Sequence, residues 1–484
     1  MRNVALIVLD TVRKDTFDER APRLRALSDT SFEQCRAASS WSTPSHTSIF
    51  TGRLPSEHGV HSESFDASFS FARFDADETF LGDLPEHRRI GLSANSYVNR
   101  AFDFDALFDE FYDFSIGSHT NETLFTEGLA VQEYMESADE PNPAKRYLGF
   151  LRACLDHERP AKSLANGVWS QVNHRVKTLP VPEFVDDGAK NISATATERA
   201  EAVDEPVFLF ANFMDAHTPL RNLIQYDQSL HSAPNSWSSN ELDKWELNKE
   251  GLATEEYARN YRELYAAAVD YLDRIVSRLV VELQAKTDRE WSFVIVSDHG
   301  HNLGYEADDG LFHHTGSMTE GVMHTPCEIV GAPEGYPTRV TEYVSQLELG
   351  ELLVRLANGD PYADDLAADH VVAETIGLLG HGDRTWGREF TDEEYDFWNR
   401  MIRVAYEGET KLEWDSLGRC IEYDLDPERP SWQREVATHG GPPPEVTALF
   451  EIGLREYKEA AAAGEQDLEF DESVEEQLKE LGYL

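Results

Sequence analysis

The sequence is short of positive charge, of cysteine and of long apolar runs, and each shortage closes off a class of protein. Lys and Arg number 43 against 90 Asp and Glu, a formal net charge of −47 over 484 residues. A field of that sign repels nucleic acid and anionic lipid. No nucleic-acid partner is therefore expected, and an anionic substrate has to be drawn in by local groups. Lysine is scarcest, supplying about 11 of the 43 basic residues, and the acidic residues are spread along the chain rather than gathered in one tail. High net charge suits a medium whose salt screens self-repulsion, which predicts a halophilic protein. A melting temperature identical in molar and millimolar salt would contradict that expectation. Cysteine occurs at Cys35, Cys154, Cys327 and Cys420 without CxxC spacing, which argues against a zinc knuckle or a disulfide framework and leaves buried thiols. No apolar run approaches the roughly 18 to 20 residues that span a bilayer. The first one, Val4 to Leu9, is broken by Asp10 and followed by Arg13, Lys14 and Asp15, unlike a secretory leader. A cytoplasmic location without a transmembrane segment is expected. Hydrophobic residues still make up 40% of the chain, enough for a core that excludes wholesale disorder.

No internal repeat is present. Short β-branched and aliphatic runs recur at Val4 to Leu9, Val207 to Phe213 and Phe293 to Ser297, with helix-length segments between them. That rhythm predicts an α/β fold with a largely parallel central sheet flanked by helices. Tyr261, Leu264, Ala268, Leu272, Ile275, Leu279 and Leu283 fall in steps of three and four, which predicts one long helix over Glu255 to Leu283 feeding the Phe293 strand. Residues from about 120 to 200 are polar and uneven and are expected to be an insertion with helical pieces. The polar stretch Asn222 to Asn248 has the composition of a surface loop and could lie near a substrate entrance. Lys411 to Trp414 and Cys420 to Leu425 resemble a hairpin joined through Leu417–Gly418, and Val474, Leu478 and Leu481 a terminal helix. These define a smaller C-terminal α+β subdomain over residues 386–484, beside a catalytic domain over residues 1–385.

Binding groups in an open parallel sheet belong just past the carboxyl ends of its strands. Three clusters hold that position: Asp10 after the first strand, Asp215-Ala216-His217 after the second run, and Asp298-His299-Gly300 after the third. A lone Asp there is more often a helix cap, but capping gives no reason for His to accompany Asp twice. Their oxygen and nitrogen donors suit a divalent ion such as Mg, Ca, Mn or Zn. A fourth segment, Trp41 to Gly52, places Ser42 before a helix with Pro44 in its first turn, where free backbone N–H groups favour an anion. Alone it would be a simple cap; a metal-bound Ser there would be a better nucleophile.

Taken together these segments resemble the sulfatases of the alkaline phosphatase superfamily. The resemblance runs from Asn3-Val-Ala-Leu-Ile-Val-Leu-Asp10-Thr11 through Ser42 to Gly52, Met214 to Pro219, Ser297 to Gly300 and Leu311 to His314, and on to Gln477 to Leu484. The order and spacing carry it, and no single motif would. It implies that fold, metal dependence, and hydrolysis of a sulfate or phosphate ester of a small molecule or glycan. In the family signature a Cys or Ser is followed by any residue, Pro, a small residue and Arg, with Thr-Gly closing the segment. Here Ser42, Pro44, Ser45, Thr51 and Gly52 match, while His46 replaces Arg. In the family the first residue is oxidised to formylglycine. Without the Arg that holds the modified group, an unmodified Ser42 hydroxyl is favoured, with formylglycine the other route.

The resemblance implies Asp10, Ser42, Asp298 and His299 as metal ligands, for one ion or for half of a two-ion site. It implies Ser42, His217 and His314 as catalytic residues, with His46, Asp215, His217 and His314 contacting the substrate. His314 is chosen over His313 because it matches the family's spacing to Pro326. Thr11 stands where many members have a further acidic ligand, and Ile90 to Asn95 lacks the family's Gly-Lys, leaving the usual lysine contact to the anion unfilled. A phosphoryl or phosphoglycerol-type transferase, or a non-catalytic member of the family, are the alternatives.

Overall fold

The computed structural model describes residues 1–62, 70–115, 125, 128–129, 131, 134–135, 143–176, 181–314, 316–368, 370–377 and 389–462. Its larger sheet is built from β1 (Asn3–Leu9), β2 (Thr30–Arg36), β3 (Arg88–Ser93), β4 (Glu110–Asp113), β5 (Val207–Phe213) and β6 (Trp291–Val296). A small antiparallel pair, β7 (Asn302–Leu303) and β8 (Phe312–His313), follows, and β9 (Cys327–Val330) and β10 (Arg339–Ser345) complete the sheet. The strand order is β10-β2-β9-β6-β1-β5-β3-β4, and β9 alone runs antiparallel to its neighbours. Every residue of β1, β5 and β6 is buried, as central strands covered on both faces require.

The long helix runs from Glu255 to Lys286, capped by Thr254, whose Oγ1 accepts from the Tyr257 N–H at 3.1 Å. Tyr261, Leu264, Ala268, Leu272, Leu279 and Leu283 are buried on one face, and Ile275 is half-buried. In the segment expected to be an insertion, helices Pro143–Asp156 and Pro160–Val176 are followed by Ala189–Glu201. This last helix buries Ala189, Ile192, Ala196 and Ala200 in the same core as β1 and β5. It is therefore part of the main helical layer, and the polar composition of the stretch concealed its small apolar face.

The second sheet is an antiparallel meander of β11 (His370–Ile376), β12 (Met401–Glu407), β13 (Thr410–Asp415), β14 (Cys420–Leu425) and β15 (Gln433–Thr438). The hairpin expected from the sequence is β13 and β14. Its turn is fixed by Asp415, whose Oδ1 accepts from the Leu417 and Arg419 N–H groups at 3.0 Å each, and by Gly418 at φ 93°, a conformation that favours glycine. Ala37, Met318, Val322 and Met323 pack with Val371, Ala373, Ile402, Val404 and Tyr406, joining the two sheets through one apolar cluster. The boundary expected between residues 385 and 386, the terminal helix bearing Val474, Leu478 and Leu481, and the ending Gln477 to Leu484 lie outside the described residues. All four cysteines are buried free thiols. Among the described residues, no helix is long and apolar enough to cross a membrane.

Candidate active site

The register of the central strands places the first groups. Val8 of β1 lies opposite Val296 of β6, and Leu9 opposite Phe213 of β5, so Asp10 and Asp298 leave adjacent strands at the same level. At that point Thr11 turns at φ 61° and its N–H donates to Asp298 Oδ1 at 3.3 Å. Ligand atoms of Asp10, Asp298 and His299 lie within 4.8 Å of one another, and all three residues are fully buried.

Half of their side-chain polar atoms are already satisfied. Asp10 Oδ2 accepts from Asn95 Nδ2 at 2.7 Å and from Ser42 Oγ at 3.3 Å. Asp298 Oδ1 also accepts from the His299 N–H at 2.9 Å. His299 Nδ1 is 2.9 Å from the Gly300 carbonyl, which can only accept, so Nδ1 carries the proton and Nε2 the lone pair. Three atoms remain: Asp10 Oδ1, Asp298 Oδ2 and His299 Nε2 have no hydrogen-bond partner. Buried polar groups left this way are costly, and two oxygens and an imidazole nitrogen converging on one point fit a divalent cation. Among the described residues, His, Cys, Asp and Glu converge in threes at this point only. The charges agree: burial and the neighbouring Asp298 push Asp10 well above the usual carboxylate range. Against the upward push of its own burial, Asp298 is held below that range by His299, His46 and the His299 and Thr11 N–H groups.

Ser42 begins the helix Ser42–Thr51, where Pro44 in the first turn costs no hydrogen bond. The structure thus brings Ser42 beside the trio through Asp10. His46, one turn on, is fully buried, with Nδ1 2.8 Å from the Ser42 carbonyl and Nε2 accepting from Asn212 Nδ2 at 2.9 Å. Both ring nitrogens face protein groups, leaving neither for the substrate contact expected from the sequence. Burial lowers its pKa despite Asp298, 3.7 Å from Nδ1.

Beyond the trio lies a group of histidines. The His314 ring centroid is 4.4 Å from that of His299 and 5.9 Å from those of His217 and His301. Nδ1 of His314 donates to the Ser40 carbonyl at 2.7 Å, and Nδ1 of His217 to that of Thr218 at 2.6 Å, leaving Nε2 as the basic nitrogen of each. Burial lowers His217 to about 4 and pushes His314 well below its ordinary value. His301 stacks between Tyr261 and Tyr265, its Nε2 2.7 Å from the Tyr261 hydroxyl. His313, one residue before His314, is farther out: half-buried and 5.6 Å from the His301 ring.

Asp215 keeps different company. Its Oδ1 accepts from the Asp187 N–H at 3.2 Å, and burial together with Asp186 and Asp187 raises it well above the usual carboxylate range. Arg221 binds Asp187 and, at 3.0 Å, Glu183. Asp215 therefore sits in an arginine-bridged carboxylate group, with no contact to the trio among its described hydrogen bonds.

Sequence reasoning missed Asn95, Asn212 and His301. Asn95 had a signal: it stands two residues past the carboxyl end of β3, where binding groups belong. Asn212 was legible only as an amide inside a fully buried strand, which demands a partner without naming it.

Comparison with known proteins sets these features in a family. A family model described as Sulfatase matches residues 2–359. The phosphonate monoester hydrolase of Agrobacterium radiobacter aligns with a TM-score of 0.56 at 15% identity, over 88% of this chain and 89% of that one. The phosphonate monoester hydrolase from Silicibacter pomeroyi aligns with 0.55 at 14% identity, over 88% and 89%. A 2-O GAG sulfatase gives 0.55 at 14%, over 88% and 86%. At such identities the likeness is one of fold. No curated protein matches the sequence.

Proposed function

The chain belongs to the sulfatase family and is a hydrolase of sulfuric or phosphoric esters, and from that premise we propose that unmodified Ser42 is its nucleophile, acting on an ester of a small molecule or glycan. The observation that carries this reading is the convergence of Asp10 Oδ1, Asp298 Oδ2 and His299 Nε2, all buried and unpartnered, beside the Ser42 hydroxyl. Asp10, Asp298 and His299, with Ser42, would hold a divalent ion such as Ca, Mg, Mn or Zn, which lowers the pKa of a bound hydroxyl and offsets the charge of the substrate.

The chain's own groups do the rest. Asp10 Oδ2 and the helix start fix the Ser42 hydroxyl, while the unsatisfied N–H groups of that helix face an incoming anion. Ser42 Oγ attacks phosphorus or sulfur in line with the leaving oxygen, and its proton passes to a basic group of the site. Nε2 of His217 or His314, neutral at rest, takes that proton and hands it to the departing alcohol. Water then attacks the covalent ester, a histidine Nε2 takes its proton and passes it to Ser42 Oγ, and the serine hydroxyl leaves as the anion is released. His46 is a positioning residue here: held by Asn212, it bonds the Ser42 carbonyl and steadies the first turn of the helix. It also fills the place of the arginine that the formylglycine route uses, which favours an unmodified serine.

Ser42→Ala tests the reading. The variant should still bind the metal through Asp10, Asp298 and His299 and show no hydrolysis of aryl sulfate or aryl phosphate. Undiminished turnover would remove Ser42 from the mechanism, and a Ser42 peptide lighter by about two mass units would replace the hydroxyl with an aldehyde.

A further inference from the structure

His301 has no part in that mechanism, although it lies among the histidines that do. It is fully buried, and all but one of its polar groups are committed. Its N–H donates to the Gly321 carbonyl at 2.9 Å, and its carbonyl accepts from Arg13 Nη1 at 2.9 Å. Its ring lies between those of Tyr261 and Tyr265. Tyr265 is anchored next to Asp10: its hydroxyl donates to the Thr11 carbonyl at 2.7 Å and accepts from the Arg13 N–H at 2.9 Å. Nδ1 alone has no hydrogen-bond partner.

Tyr261 decides what Nδ1 offers. Its hydroxyl is 2.7 Å from Nε2, and the hydroxyl oxygen also faces the His313 N–H. An oxygen that accepts from a backbone N–H turns its own proton to the imidazole, so Nε2 accepts and the ring proton sits on Nδ1. A buried N–H without an acceptor is costly, and this one is held rigidly in a site built for oxyanions. The ring centroids of His217, His301 and His314 form a triangle with sides of 5.9, 5.9 and 6.3 Å. Their nitrogens are not gathered within 4.8 Å as the ligand atoms of the trio are, a spread too wide for metal bonds of about 2 Å. An oxygen held by hydrogen bonds of about 2.9 Å needs that wider spacing.

We propose that the Nδ1–H of His301 is a hydrogen-bond donor to the oxygen opposite Ser42: the leaving oxygen of the ester in the first step and the attacking water in the second. In-line displacement gives the two one position, since water enters where the alcohol left. The inference rests on the hydrolase reading above, which brings that oxygen to His217 and His314. Nε2 of His217 or His314 moves a proton, whereas His301 keeps its own and stabilises the negative charge gathering on the alcohol oxygen. In the second step the same N–H binds a lone pair of the water and leaves the water protons to the basic Nε2.

The experiment compares His301→Leu, which removes the donor, with His301→Asn, whose amide Nδ2 stands where Nδ1 stood. Across aryl esters, His301→Leu should lower kcat/KM about tenfold for a nitrophenol leaving group and about a hundredfold for phenol itself, the range of one hydrogen bond to a charged group. His301→Asn should keep the native dependence on the phenol. Tyr261→Phe leaves the imidazole in place but unpins its proton, and should steepen the dependence more mildly; it carries the comparison should His301→Leu not fold. A dependence on the phenol unchanged by removing the donor, or a His301→Asn as impaired as His301→Leu, overturns the proposal. Orthovanadate, which adopts the geometry of the displacement with an oxygen opposite the serine, is titrated into the same metal-loaded proteins. It should bind about tenfold more weakly to His301→Leu than to the native protein, and equal affinities overturn the proposal as well. This second measurement decides the role of His301 without turnover, so absence of all ester hydrolysis would count against the hydrolase reading alone.

Discussion

Two groups of buried carboxylates sit past the carboxyl ends of the central strands, and the chain closes one and leaves the other open. Around Asp215, Arg221 binds Asp187 and Glu183, Tyr271 donates to Asp186, and the Asp187 N–H donates to Asp215 itself. Around Asp10 and Asp298, no lysine or arginine forms an ion pair among the described residues; only the His46 and His299 rings approach. Both groups carry the cost of burying carboxylates. A chain selected for stability alone would compensate both from its own side chains, as Arg221 does for Asp187 and Glu183, although Asp215 Oδ2 is left without a hydrogen-bond partner. The open group keeps one atom unsatisfied on each of three residues, which points to a cation supplied from outside.

The comparison breaks if the two groups respond alike to substitution. Asp298→Asn should keep the Asp298 Oδ1 contacts to Thr11 and His299, since an amide oxygen accepts as well. It should abolish metal binding and lower kcat/KM by roughly a thousandfold or more, on the scale of losing a main electrostatic contributor to the transition state. Its metal-free form should lose much less stability than Arg221→Met, because the Oδ1 hydrogen bonds are kept and the carboxylate that repels Asp10 is gone. Arg221→Met should do the opposite. It strands Asp187 and Glu183, costing about 3 to 5 kcal/mol of stability, while metal binding is kept. Metal content and urea midpoints of the two variants, side by side, check both halves, and an Asp298→Asn destabilised as much as Arg221→Met, or a metal-free Arg221→Met, would undo the distinction.

How much of this was legible beforehand follows from what fixes each residue. Asp10, Asp298 and His299 could be read because a parallel sheet puts its chemistry at strand ends, and one-residue register carries Asp10 and Asp298 to the same level. Ser42 could be read because Pro44 marks a helix start. Asp215 looked equivalent for the same reason and was not, because its partners come from residues 183–187 and Arg221, whose approach no local pattern announces. His46 was similar: substitution for the family's arginine was visible, but its engagement by Asn212 depends on how the helix Ser42–Thr51 lies against β5. The stretch Asn222 to Asn248 is the extreme case: its composition suggests a surface loop that could lie near a substrate entrance, and no local pattern announces the Asn248–Phe312 clamp that fastens it to β8.

The histidines sharpen the comparison on a smaller scale, because burial penalises their protonation just as it penalises stray carboxylates. His217 is 3% exposed and its pKa falls from the ordinary 6.5 to about 4, through burial opposed by the Thr218 carbonyl and Asp298 and aided by His299. The His301 and His314 rings also face it. Since the folded value lies below the unfolded one, the unfolded chain takes up the proton first as pH drops. The stability this residue contributes is whole above pH 6.5 and is lost on the way down to about 4, a span worth about 3 kcal/mol. Asp10 and Asp215 act with the opposite sign, because their raised values favour the folded, protonated form as pH falls. A simple pH profile would mix the two. The difference between native protein and His217→Gln, each unfolded in urea with chelator at about pH 7 and about pH 4, isolates the histidine. The native protein should lose about 3 kcal/mol more than the variant between those two values, and equal losses would mean that His217 is already charged, or already solvated, in the folded chain.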